Sequence, residues 1–174
     1  MELHEGQFAP DFILPAVADD DTVAIKQVHL ADLRGSMVIL WFFARDDPYG
    51  NVIQAYALHD IYRECLARGV IVLGVGTDTL AAHKRFAVKY HFPFQLLSDA
   101  DAAVSRKYGF FKEKHLFGTA YQGVDRSMVL IDKEGIIRKI WSLVTPGADE
   151  ILSTIDALTP AGETSEQEPP TAFS

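Results

Sequence analysis

The sequence predicts an α/β domain built on a central mixed sheet of about five strands, with helices on both faces. Three observations carry that expectation. Apolar, strand-like runs alternate with amphipathic helical stretches along most of the chain, as a sheet with crossover connections requires. The run VIVLGV at 70–75 is almost unbroken apolar sequence rich in β-branched residues, which suits a strand covered on both faces. A chain of 174 residues with 48% hydrophobic content supports one core better than two. Residues 1–158 are therefore read as one domain and 159–174, polar and proline-bearing, as a flexible tail.

Taken in order, residues 8–14 form an extended N-terminal segment, and Asp19 to Asp21 a solvated turn. SMVILWFF, residues 36–43, is the first core strand. After the turn ARDDPYG a long helix is expected from Asn51 to about Arg68, because NVIQAYALHDIYRECLAR spaces its apolar residues at helical intervals. Strand 70–75 follows, then an amphipathic helix over 80–90 in which Phe86 and Tyr90 lie four apart. Residues 94–97 make a short strand. Residues 101–108 make a helix ended by Gly109, the residue type best suited to a left-handed cap. The aromatic-rich segment 110–122 is read as irregular and lying over the Asn51 end of the sheet. Strands 127–131 and 136–141 flank DKEG, a hairpin turn whose glycine supplies positive φ, and a helix over 149–158 closes the fold.

Charge and terminal sequence narrow the function. A formal net charge of −8 opposes binding to phosphate backbones, and no basic stripe offsets it, so no nucleic-acid partner is expected. No run of about 18 apolar residues could span a bilayer, so no membrane partner is expected either. MELHEGQFAP lacks the basic-then-apolar pattern of a secretory signal, which points to the cytoplasm.

Short motifs add little chemistry. GVGTDT starts like a dinucleotide-binding glycine loop, but the third glycine of that pattern is Thr79 here, and SDADA around Asp99 reads as a helix entry. Asp99 and Asp101 begin like a calcium loop with none of its later ligands. The six histidines show no metal-ligand spacing. No cofactor and no metal are expected. The lone cysteine, Cys65, excludes an intramolecular disulfide, and its neighbours Ile61, Tyr62 and Leu66 make it a small core side chain with Arg68 pointing to solvent.

Several longer stretches carry a resemblance in serial order: FAPDFILPAV, LADLRGSMVILWFF, GVIVLGVGTD, PFQLLSDADAAVSRKYG and DRSMVLIDKEGIIRKIW. Over residues 5–158 they resemble the peroxiredoxins of the AhpC/TSA type, thiol peroxidases of the thioredoxin-like superfamily, and within them the bacterioferritin-comigratory, PrxQ-like subgroup. The resemblance implies a thioredoxin-like fold and an antioxidant, oxidoreductase ancestry. Carried over by position, the family's Pro-x-x-x-Thr/Ser-x-x-Cys pattern falls on Ala44, Pro48 and Asn51, so its proline, hydroxyl and peroxidatic cysteine are all replaced. The position of a resolving cysteine falls on Tyr56. The arginine that helps orient peroxide falls on Arg126 and is retained.

Peroxide reduction needs a thiolate that takes the distal oxygen and becomes a sulfenic acid. An amide cannot do this, so Asn51 is read as a structural N-cap for its helix. The resemblance and the substitutions together imply a catalytically inactive binding or interaction homologue, a pseudoenzyme. Arg126 beside a helix N-terminus would favour a small anion or carboxylate. The alternative is an active redox protein using Cys65 or a partner's thiol. However, fourteen residues of helix put Cys65 roughly 20 Å from Asn51. Aromatics in LWFFARDDPY and FFKEKHLF leave both a monomer and a homodimer open.

Overall fold

The structure, a computed structural model, describes residues 3–18, 27–44, 48–143 and 146–159, with the backbone alone at 48–50. Its centre is strand β3 (Met37–Phe42), flanked in parallel by β4 (Val70–Gly76) and in antiparallel by β8 (Ser127–Ile131). Every residue of β3 and β8 is buried, and β4 is buried at all positions but one. That is why these runs show no polar alternation in the sequence. β5 (Gln95–Ser98) extends the sheet in parallel beyond β4, and β9 (Ile137–Ser142) pairs antiparallel with β8.

Among the described residues the sheet has seven strands instead of the five expected, in the order β2-β1-β5-β4-β3-β8-β9. The two additional strands are β1 (Ile13–Val17) and β2 (Gln27–His29), an antiparallel pair docked on β5. Only alternate residues of β1 are buried, and Pro15 sits among them, so the local signal for a strand was weak. The expected turn at Asp19 to Asp21 lies outside the described residues, as do residues 160–174 of the tail.

The aromatic-rich segment 110–122 is not irregular. It is a regular two-stranded hairpin, β6 (Phe111–Leu116) with β7 (Thr119–Val124), paired over six positions. Phe117 and Gly118 at its tip both take positive φ, 51° and 81°, as a twist-matched two-residue turn requires. Its strands are largely exposed, so apolar periodicity could not mark them.

One face of the sheet is covered by α1 (Pro48–Ala67), α2 (Leu80–Tyr90) and α4 (Ala148–Leu158). They bury Leu58, Ala87 and Ile151 against Ile39, Trp41, Leu96 and Met128. The other face carries the N-terminal segment, a 3-10 turn at Leu30–Leu33 and the short α3 (Ala103–Lys107), with Tyr108 and Phe12 packed on Phe42 and Val75. Fully burying a side chain of this size contributes about 1.5–3 kcal/mol. Trp41 and Phe42 are fully buried and Phe43 is nearly so, which leaves LWFF little aromatic surface beyond the part of Phe43 that lines a cleft.

Candidate functional site

The site lies where the chain leaves β3. The last ladder partners of β3 are Ser127 and Val75, both opposite Phe42. Phe43 and Ala44 continue inward and are buried. Arg126 immediately precedes β8, which brings it to this end of the sheet from one side of β3, and its carbonyl accepts the Leu143 N–H at 3.0 Å. α2 reaches the same region from the opposite side, packed over β5 and β1.

Asn51 does not cap α1. The helix begins three residues earlier, at Pro48, a residue suited to the first position because the N–H it lacks would have no helical partner. The side chain of Pro48, like Asp46 and Asp47, lies outside the described residues. Asn51 is the fourth helical residue and only 5% exposed. Its amide turns back to Ala44, accepting that residue's N–H at Oδ1 (3.1 Å) and donating from Nδ2 to its carbonyl (2.5 Å). One side chain thus satisfies both main-chain groups of a buried residue just past the last ladder pair. The structural role expected of Asn51 is present, but as a clamp on Ala44.

One turn further along α1, Gln54 is fully buried and accepts the indole N–H of Trp41 at 2.5 Å. Two amides three residues apart therefore fasten the start of α1 to β3 through Trp41 and to the segment just after it through Ala44. Gln54 was not singled out from the sequence. Its spacing from Asn51, which places both on one helix face, was the available signal.

Beside Asn51 opens a cleft of about 270 Å³ between the start of α1 and the length of α2. Phe43 floors it, and from α2 it receives Ala82, Phe86, Lys89 and Tyr90, which recur at helical spacing along one stripe. Asp78 and His83 line it near the start of α2. His83 is 1% exposed, and its Nε2 lies 3.2 Å from the Gly76 carbonyl and 3.1 Å from that of Leu97. Both partners only accept, so Nε2 carries the proton. Burial lowers the pKa of this imidazole, outweighing the carbonyls and Asp78, and keeps it neutral.

The two glycines of GVG have a packing explanation. A Cβ on Gly74 would meet Leu96 at 2.6 Å, and one on Gly76 would meet the Phe43 ring at 2.5 Å. Thr79 caps α2, accepting the Ala82 N–H at 3.2 Å. Asp99, buried, accepts from the N–H groups of Val104 and Ser105 and from the Ser105 hydroxyl, so SDADA is a helix entry. Among the described residues no group of three potential ligands could hold a metal ion, and no helix is long and apolar enough to cross a membrane.

Cys65 lies near the far end of α1, fully buried. Burial pushes its pKa up to about 11, Arg68 opposing and Glu64 adding to the shift. Arg68 does not point freely to solvent as expected. Its guanidinium holds Asp156 of α4 through Nε (2.7 Å) and Nη2 (3.1 Å), and Glu64 through Nη1 (3.1 Å).

Comparison with known proteins agrees with this architecture. Residues 6–140 match the AhpC/TSA family. A bcp protein of Coxiella burnetii is 40% identical over 144 residues, covering 83% of this chain and 91% of its own. Peroxiredoxin Bcp of Escherichia coli K12 is 37% identical over 139 residues, covering 80% and 85%. Among solved structures, the Xanthomonas campestris bacterioferritin comigratory protein, described for its alkyl peroxide reduction activity, superposes with a TM-score of 0.73 at 28% identity over 84% of this chain and 90% of that one.

Proposed function

The chain belongs to the AhpC/TSA family, with Bcp and peroxiredoxin Q proteins as its relatives, and from that premise we propose that it is a homologue without thiol peroxidase activity, acting as a binding or interaction module. One observation carries this reading: at the position the family pattern gives to the nucleophile stands an amide committed to Ala44 by two hydrogen bonds. Peroxide reduction requires a thiolate to attack one peroxide oxygen, the O–O bond to break and the leaving oxygen to take up a proton. Asn51 has no electron pair of comparable reactivity.

The only thiol in the chain does not substitute. Cys65 is inaccessible, and its raised pKa leaves it protonated near neutrality. What the site retains is the positive end of α1, with Arg126 at the same end of the sheet. These suit a small anion or carboxylate. The protein would act in the cytoplasm, as a monomer or homodimer.

The test is consumption of hydrogen peroxide and tert-butyl hydroperoxide with dithiothreitol or a thioredoxin system as reductant. The expected rate equals that of the reductant alone. Catalytic turnover that disappears in Cys65→Ser would overturn the proposal in favour of sulfur chemistry at Cys65.

A further inference from the structure

The cleft between α1 and α2 has a polarity that selects for a ligand. Its middle is aromatic: the ring of Phe43 lies 5.4 Å from that of His83 and 5.8 Å from that of Phe86. Phe86 and Tyr90 stand edge to face at 5.3 Å, and Tyr90 meets Tyr56 of α1 at 6.4 Å, which joins the two helices on that side. The charged groups lie toward opposite ends of α2. Asp78 precedes its cap and Lys89 is in its last turn, with the ammonium 5.4 Å from the centre of the Tyr90 ring.

Ten residues separate Thr79 from Lys89, about 15 Å along the helix axis. Side chains on a helix lean toward its N-terminus, so Lys89 shortens that gap. A volume of 270 Å³ corresponds to roughly nine waters at liquid density, and an apolar cavity of about 150 Å³ already admits benzene. There is room for one aromatic ring and a short chain, not for a nucleotide.

We propose that this cleft binds a small aromatic monocarboxylate bearing a hydrogen-bond donor at its far end, of the 3-(4-hydroxyphenyl)propionate class. The ring lies over Phe43 and between Phe86 and Val52. The carboxylate pairs with Lys89, and the phenolic hydroxyl donates toward the end lined by Asp78 and His83. A carboxylate at that end would be repelled by Asp78, which fixes the direction. The inference goes beyond the preceding reading, whose anion site is the α1 N-terminus with Arg126: here the cleft holds the ligand's body and Lys89 its carboxylate.

Titration of the full-length protein with 3-(4-hydroxyphenyl)propionate, followed by amide chemical shifts, tests it. Saturable shifts confined to the Val52, Ala82–Phe86 and Lys89–Tyr90 region are expected. Lys89→Gln, on the surface, should weaken binding about threefold, as suits a partly screened pair. Ala82→Trp should abolish it by filling the cleft, with an unchanged circular dichroism spectrum as the folding control. Removing the hydroxyl (3-phenylpropionate) or converting the carboxylate to its amide should each cost affinity.

Absence of saturable binding would overturn the inference. So would binding indifferent to both Lys89→Gln and Ala82→Trp. Acetate provides the separation from the broader reading. If acetate binds at the α1 N-terminus and the aromatic acid binds no tighter, small-anion binding stands and the cleft assignment falls. If aromatic-acid binding is accompanied by peroxide turnover, the cleft stands and the inactive assignment falls.

Discussion

The two ends of α1 present opposite solutions to the placement of reactive groups. At the first turn, where unpaired main-chain N–H groups and the helix dipole would stabilise a thiolate, the chain places an amide. Near the last turn, where the dipole and burial both disfavour a thiolate, it places its only thiol. The comparison separates position from chemistry. The fold can keep the geometry of an activating site while the group able to exploit it is absent, and a cysteine elsewhere on the same helix inherits none of that activation.

Moving sulfur from one end to the other tests this most strongly. In Asn51→Cys the new thiol should alkylate roughly thirtyfold faster than Cys65. A pKa near 8.5 against one of about 11 gives a thiolate fraction near pH 7.5 that is greater by two to three orders of magnitude. Weaker intrinsic nucleophilicity of the more acidic thiol returns roughly tenfold of that, and burial holds back both positions, 5% exposed at Asn51 and 0% at Cys65, so the net ratio is expected at tens-fold. Timed labelling with mass spectrometry reads the ratio. Peroxide turnover should remain poor, since Pro48 has no hydroxyl and Ala44 stands at the family's proline position. Adding Pro48→Thr should raise the rate beyond the single change. Equal labelling of the two thiols would remove the contrast between the helix ends.

Removing the clamp without supplying sulfur is the next largest effect. Asn51→Ala leaves the N–H and carbonyl of Ala44, 1% exposed, without these partners. A loss of about 2–3 kcal/mol is expected in urea denaturation, since buried main-chain groups left unsatisfied cost about 1–3 kcal/mol. Asn51→Asp should recover less than half of it, because a carboxylate can accept from the Ala44 N–H but cannot donate to its carbonyl.

The difference between what the sequence displayed and what it hid follows the same division between buried and surface structure. β3, β4 and β8 were legible because continuous burial writes continuous apolar sequence. The hairpin β6–β7 was not, because an exposed ladder is held by main-chain bonds that leave no apolar pattern, and the edge pair β1–β2 was not, because its strands are short and Pro15 interrupts the first. At the site, the identity of Asn51 could be read, but its partner Ala44 could not. Which way a side-chain amide turns depends on where the helix starts, and that start was placed three residues late. The α2 wall of the cleft was visible only as an amphipathic face.

Gly76→Ala probes the floor of the cleft. The added Cβ would lie 2.5 Å from the Phe43 ring and 2.9 Å from the His83 ring, both interior. Phe43 is hemmed in by Trp41 at 4.7 Å and Phe86 at 5.8 Å, so it cannot simply retreat. Overpacking of this kind costs about 1–3 kcal/mol. A variant as stable as the parent would show that the Phe43 ring repacks freely.

The smallest effect belongs to the thiol end of α1, where Arg68 ties the helix to α4 through Asp156. Hydrogen bonding to Arg68 lowers the Asp156 pKa below its ordinary 3.8, partial burial opposing and the guanidinium charge assisting. A carboxylate whose folded pKa is depressed contributes stability that is fully present above its unfolded value and is lost as pH falls through the folded one. Asp156→Asn should therefore cost stability at pH 7, and the cost should shrink as pH falls below the ordinary carboxylate range. The Asp156 side chain is 50% exposed, so solvent screening holds the cost under about 1 kcal/mol. Urea midpoints of parent and variant at pH 7 and pH 2.5 give the comparison. A difference that persisted undiminished at the lower pH would mean that shape and packing, not the ion pair, hold the end of α1 against α4. The contrast between an electrostatically tied thiol end and an amide-clamped site end would then have to be redrawn.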